Sequence, residues 1–196
     1  MVERQLRQRG IEDGRVLEAM AEVPRERFLP PDAQPDAYRD GAVAIGEGQT
    51  MSQPWIVACM TSLLGLTGDE RVLEVGTGSG YGAAVLSRCC AEVVTIERHP
   101  ALAERAAAVL QELGYGNVEV RTGDGTLGAP DSAPFGGALV TAVAEGRPPQ
   151  AIAEQLEPGA PLVCPVRDEG GEHLTVFRGE EQRRIVPVRF VPLVGG

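Results

Sequence analysis

No apolar run in this chain approaches the ~20 residues that cross a bilayer. The opening Met1-Val2-Glu3-Arg4-Gln5-Leu6 has no signal-peptide core either. A membrane partner is therefore not expected, and the cytoplasm is the expected compartment. Positive charge is also short: 18 Lys+Arg face 28 Asp+Glu, for a formal net charge of −10 and a predicted pI near 4.7. Without a basic stripe there is no phosphate footprint, so nucleic acid and anionic membranes are not expected partners. Cysteine occurs four times, at 59, 89, 90 and 164, without metal-ligand spacing. Adjacent Cys89-Cys90 is a poor start for a disulfide framework, so buried free thiols in a reducing compartment are expected. The two histidines, His99 and His173, are too few and too far apart for a metal site.

What is present is core-forming material. An apolar content of 43% supports a real interior, and 196 residues suit one domain, expected as a monomer. Val16, Leu17 and Met20 fall on one helical face, and Pro24 ends that pattern. Residues 30–40, rich in Pro, Asp and Ala, read as a loop. The polar segment Gly46-Glu47-Gly48-Gln49-Thr50-Met51-Ser52-Gln53-Pro54 then precedes a helix over 55–66. From Arg71 the pattern alternates: strand 72–75, helix 83–89, strand 93–97, helix 101–113, strand 118–121 closed by Gly123-Asp124-Gly125, and strand 138–141. A helix over 148–156 and a strand over 161–166 follow. The tail, 173–178 and 184–193, alternates apolar and polar residues like antiparallel strands. This order predicts an α/β fold: a mostly parallel sheet with helices on both faces and N-terminal helices capping one rim. Ligands of such sheets bind outside the carboxyl ends of the strands.

That rim carries the strongest local signal, Val72-Leu73-Glu74-Val75-Gly76-Thr77-Gly78-Ser79-Gly80-Tyr81. An apolar strand breaks into alternating glycines and enters a helix, a layout that lets the backbone approach a ligand closely. The dinucleotide fingerprint wants glycines at the first, third and sixth loop positions. Gly76 and Gly78 fit, but Tyr81 takes the sixth position and Gly80 falls on the fifth. A P-loop would need Gly-Lys-Ser/Thr, and no lysine lies near. The loop and Glu74 therefore suit a cofactor with positive charge and no phosphates, which S-adenosylmethionine fits; a glycine-rich turn without a ligand is the plain alternative. Glu97 ends the next strand, where a carboxylate can accept both hydrogen bonds of a ribose diol. That feature serves NAD and S-adenosylmethionine alike. Asp124 and Thr141 are expected on the same rim.

The chain also resembles the protein-L-isoaspartate (D-aspartate) O-methyltransferase family. The resemblance is carried by Gly48-Gln49-Thr50-Met51-Ser52-Gln53-Pro54, by the glycine loop, and by Gly123-Asp124-Gly125-Thr126-Leu127-Gly128. It extends to Leu156-Glu157-Pro158-Gly159 and Val188-Arg189-Phe190-Val191-Pro192-Leu193. It implies a class I S-adenosylmethionine-dependent methyltransferase, Rossmann-like, with antiparallel C-terminal strands. On that basis 1–66 form the N-terminal cap and substrate segment, 67–166 the cofactor-binding core and 167–196 the C-terminal strands.

The implied reaction is methyl transfer from S-adenosylmethionine, leaving S-adenosyl-L-homocysteine, to the α-carboxylate of isoaspartyl residues in damaged proteins or peptides. The ester then cyclises to a succinimide, which is the repair step. By the resemblance Ser52 is the active-site serine, and Gln49, Thr50 and Met51 flank it at the substrate site. Glu97 is the ribose-binding acid, Asp124-Gly125 lie beside the adenine, and Glu74, Gly76, Thr77, Gly78, Ser79, Gly80 and Thr141 complete the cofactor site, with no metal. Read from the residues alone, Ser52 could equally cap the helix that follows, and His99 reads as a surface loop residue. The chain departs from the family where an aspartate is usual, at Phe135-Gly136-Gly137-Ala138, and where a proline is common, at Glu145. A methyltransferase that modifies aspartate in one dedicated peptide, a non-catalytic S-adenosylmethionine-binding module and an NAD-dependent oxidoreductase are the alternatives.

Overall fold

The computed structural model describes residues 1–195. A one-turn segment, Val2–Leu6, precedes α1 (Gly14–Glu22), which Asp13 caps by accepting a hydrogen bond from Val16 N at 3.1 Å. Val16, Leu17 and Met20 are buried together as the periodicity predicts, and Ala19 joins them. Past Pro24 the turn Arg25–Phe28 buries Arg25 completely. A hairpin follows, β1 (Val43–Gly46) and β2 (Gln49–Met51), turning through Glu47 and Gly48 with positive φ. By its sequence this stretch shows only a polar segment. Next comes α2 (Pro54–Leu64), ended by Gly65 at φ +63°.

The central sheet uses β3 (Arg71–Val75), β4 (Glu92–Glu97), β5 (Val118–Thr122), β6 (Gly137–Val140), β7 (Ala144–Glu145), β8 (Leu162–Asp168), β9 (Gly171–Arg178) and β10 (Glu181–Pro187). Strand order is β10-β9-β8-β6-β3-β4-β5, with β7 paired to β8. Every pairing from β8 to β5 is parallel, and only β8-β9 and β9-β10 are antiparallel. Connecting helices α3 (Tyr81–Ser87), α4 (Pro100–Glu112) and the short α5 (Gln150–Ala153) complete the set.

Strand β3 is central, so Val72 and Leu73 point to opposite faces and both are fully buried. They belong to separate hydrophobic clusters, one on each side of the sheet. A parallel strand covered on both faces reads as a continuous apolar run, which is why this one was legible. Two expected elements are shorter. The helix expected over 148–156 holds only Gln150–Ala153, and the last strand stops at Pro187 instead of reaching 193. Proline offers no N–H to a ladder. Val188 N still donates to Glu172 O of β9 at 3.0 Å, and beyond it the chain crosses back, pairing Val143 N with Val191 O and Leu193 N with Val143 O, each at 2.8 Å.

At the two family departures the chain is tightly placed. Gly136 N donates to Arg71 O at 2.9 Å, and a Cβ there would sit 2.9 Å from Glu70 Cβ. Glu145 pairs with Arg167 at 2.5 Å. All four cysteines are buried and free, and burial pushes Cys89 up to about 12. Among the described residues no helix is long and apolar enough to cross a membrane, and no group of three or more His, Cys, Asp or Glu could hold a metal.

Candidate active site

Strand order reverses at β3, with β4 on one side and β6 on the other. A doubly wound sheet opens a crevice at such a switch point. Gly76 leaves β3 at φ +97°, and its N–H donates to Ile96 O at 2.8 Å. A Cβ on Gly76 would lie 2.2 Å from Thr141 Oγ1, at the end of β6. That hydroxyl sits 2.9 Å from Gly76 O and 3.0 Å from Val75 O, so it ties the two strand ends together. Glycine is required there on both counts. Gly80 has a different job: it begins α3 at φ +88°, and a Cβ would meet Ala106 Cβ at 3.2 Å and Leu110 Cδ1 at 3.3 Å. It faces α4 and does not line the crevice. Its expected place in the cofactor wall is thus corrected to close helix packing behind it.

Two acids end neighbouring strands, and their environments differ. Glu74 is buried, and Thr95 Oγ1 donates to its Oε2 at 2.6 Å. Thr77 Oγ1 lies 2.6 Å from Thr95 Oγ1, so a chain of hydroxyls runs from the glycine loop to the carboxyl. Burial raises the Glu74 pKa to about 8, offset in part by the Thr95 hydrogen bond and raised further by Glu97. Glu74 therefore carries its proton at neutral pH. Glu97 instead accepts a backbone N–H on each oxygen, from Gly78 at 2.8 Å and His99 at 3.0 Å. A carboxylate has roughly four acceptor sites, so Glu97 is held in one orientation and still has capacity for a diol.

The opposite wall is the segment after the hairpin. Gln49, Thr50, Met51 and Ser52 all line the same cavity as Glu74, Gly76, Thr77, Gly78, Ser79, Glu97, Gly125 and Thr141. The N-cap of α2 is Gln53, which makes no side-chain capping bond, so Ser52 is not a helix cap. Its carbonyl accepts from Arg25 Nη2 at 2.7 Å, and its hydroxyl has no hydrogen-bond partner among the described residues. His99, in the loop before α4, is half-buried in the cavity wall, with its Nε2 3.5 Å from Gln49 Nε2. Asp124 does not line the cavity: its Oδ1 accepts from Thr126 N at 2.9 Å and caps the turn Gly125–Leu127.

The cavity measures about 1100 Å³, at the upper end of small-molecule sites. It reaches from Gly125 and the acidic strand ends to the crossing tail, where Val188, Phe190 and Pro192 form part of its wall. Tyr81, Met60, Thr61 and Leu139 also line it. Their side chains follow ordinary helix and strand patterns, so nothing in the sequence marks them for the site.

Comparison with known proteins follows the same lines. The family model described as Protein-L-isoaspartate(D-aspartate) O-methyltransferase (PCMT) matches residues 1–196. A protein named protein-L-isoaspartate O-methyltransferase from Pelotomaculum thermopropionicum is 52% identical over 100% of this chain and 87% of its own length. One of the same name from Methanoregula boonei is also 52% identical, over 100% of this chain and 91% of its own. A solved protein-L-isoaspartate O-methyltransferase superposes with a TM-score of 0.87 at 28% identity, covering 100% of this chain and 66% of that one. A Plasmodium falciparum chain described as such an enzyme, in complex with S-adenosyl-L-homocysteine, shares the fold at a TM-score of 0.82. It is 21% identical, over 96% of this chain and 94% of that one. The class I methyltransferase architecture and the full-length match agree: this chain belongs to the protein-L-isoaspartate (D-aspartate) O-methyltransferase family.

Proposed function

We propose that this chain methylates the α-carboxylate of L-isoaspartyl residues in damaged proteins and peptides, with S-adenosylmethionine as donor. The observation that carries the reading is one cavity walled by both the Gln49-Thr50-Met51-Ser52 segment and the glycine loop with Glu97. Relatives half identical over the whole chain and named for this activity support the choice of acceptor.

The residues present suit the cofactor. Glu97 keeps acceptor capacity for a ribose diol, Gly76 leaves room that a side chain would fill, and the protonated Glu74 carboxyl lines the same cavity. When bound, S-adenosylmethionine supplies a methyl carbon on a positively charged sulfur and leaves as S-adenosyl-L-homocysteine. Thr77, Gly78, Ser79, Gly125 and Thr141 would form its walls, while Gly80 and Asp124 support those walls from behind. On this reading 1–66 are cap and substrate segment, 67–166 the cofactor core and 167–196 the closing strands of one domain in the reducing cytoplasm.

The chain's own chemistry is positioning. An α-carboxylate has a pKa of about 3.5, so it is ionised at neutral pH and needs no general base. Holding it in line with the methyl carbon can supply on the order of 7–11 kcal/mol. The Ser52 hydroxyl, in the wall and without an internal partner, is placed to donate to the carboxylate. In the repair route the ester cyclises to a succinimide, which hydrolyses in part to aspartate.

The test is labelled S-adenosylmethionine with matched peptides containing isoaspartate, aspartate or D-aspartate. Base-labile label on the isoaspartyl peptide is expected. Measurable cofactor binding without labelled peptide would overturn the proposal.

A further inference from the structure

Arg25 is the largest side chain in the protein with no exposure at all. Its Nε donates to Ala37 O at 2.7 Å, and its Nη2 to Ser52 O at 2.7 Å. The guanidinium lies over the Tyr81 ring, 4.7 Å from the centroid. Ser52 and Tyr81 both line the cavity, whereas Arg25 itself stands directly behind them. It therefore joins the acceptor wall to the first residue of α3, which continues the glycine loop.

Among the described residues no carboxylate neutralises this cation, and its Nη1 is buried without a hydrogen-bond partner. Buried charges are ordinarily paired, because desolvating them is costly. A structural tether to two carbonyls would not require a positive charge. The anionic acceptor would benefit from one, because the net charge of −10 does not draw a carboxylate inward. Arg98 and Arg189 sit at the cavity rim, but they are exposed and solvent screens them.

We propose that Arg25 is a positioning residue for the acceptor. It holds the Ser52 main chain in place and sets a positive potential behind the point where the substrate carboxylate binds. The inference rests on the carboxyl-methyltransferase reading above.

The test measures KM and kcat for an isoaspartyl peptide, and Kd for S-adenosyl-L-homocysteine, in wild type, Arg25→Lys and Arg25→Gln. A core variant, Leu17→Ala, serves as a control for general destabilisation. Losing a hydrogen bond to a charged group costs about tenfold or more. Peptide KM is therefore expected to rise at least about tenfold in Arg25→Gln, less in Arg25→Lys, and not in Leu17→Ala, with cofactor Kd little changed throughout. If Arg25→Gln does not fold, Arg25→Lys is read alone: raised peptide KM with unchanged cofactor Kd supports the role. Unchanged KM, or equal effects in Leu17→Ala, overturns it. Wild type that fails to methylate the peptide overturns the functional reading instead, so the two failures are separable.

Discussion

At the residue scale the two walls of the cavity divide the work, and substitutions should separate them. Ser52→Ala removes one donor to an ionised acceptor, worth roughly 1.5–3 kcal/mol. Peptide kcat/KM should therefore fall about 10–150-fold, with cofactor Kd nearly intact; steady-state kinetics beside calorimetric binding reads both. Glu97→Ala should show the opposite split, since it removes the acceptor oriented by Gly78 and His99. A wild-type cofactor affinity would refute that role. Glu97 was legible only because it closes the strand that follows the glycine loop; alone it reads as a solvated strand-end acid. Gly80 and Asp124 were legible as positions in a motif, but their absence from the cavity lining was not. Arg25 carried no signal: one more arginine after a proline looks like surface charge until the fold buries it.

At the scale of elements, the strand–loop–helix unit is written locally and the hairpin is not. Gly76→Ala tests how tightly the first is drawn. A residue at φ +97° costs roughly 1–2 kcal/mol for any side chain, and the new Cβ meets Thr141 Oγ1 at 2.2 Å. Unfolding by denaturant should show a loss of more than about 2 kcal/mol, accompanied by loss of cofactor binding. Stability within error of wild type would mean that the β3 and β6 ends part easily. The β1–β2 hairpin escaped the sequence reading because its strands span only Val43–Gly46 and Gln49–Met51, too short for periodicity. The tail misled for another reason. Its alternation continues through Val188 and Phe190, but after Val188 the chain leaves β9 and turns across the cavity.

At the scale of the molecule, the buried Glu74 links the site to stability. Its carboxyl titrates near 8 in the folded chain against an ordinary 4.5. Between those values the native state keeps a proton that the unfolded chain has lost, so stability falls as pH rises through this window. Below about 4.5 both states are protonated and the penalty is absent. Glu74→Gln removes the titration. Its unfolding free energy relative to wild type should climb from pH 4.5 to pH 8, measured by denaturant melts at stepped pH. A difference independent of pH would show that Glu74 does not titrate there.

The sequence by itself determined the alternation of strands and helices, the glycine turn at the cofactor end and the acid closing β4. These depend on backbone sterics and on burial patterns that repeat within a few residues. Tertiary structure decided which of those residues share a wall, which glycine serves packing, and where the last strand turns aside. It also decided that Arg25 sits unexposed behind Ser52. Such facts are contacts between segments far apart in the chain, and no local pattern encodes the burial that gives a charge its effect.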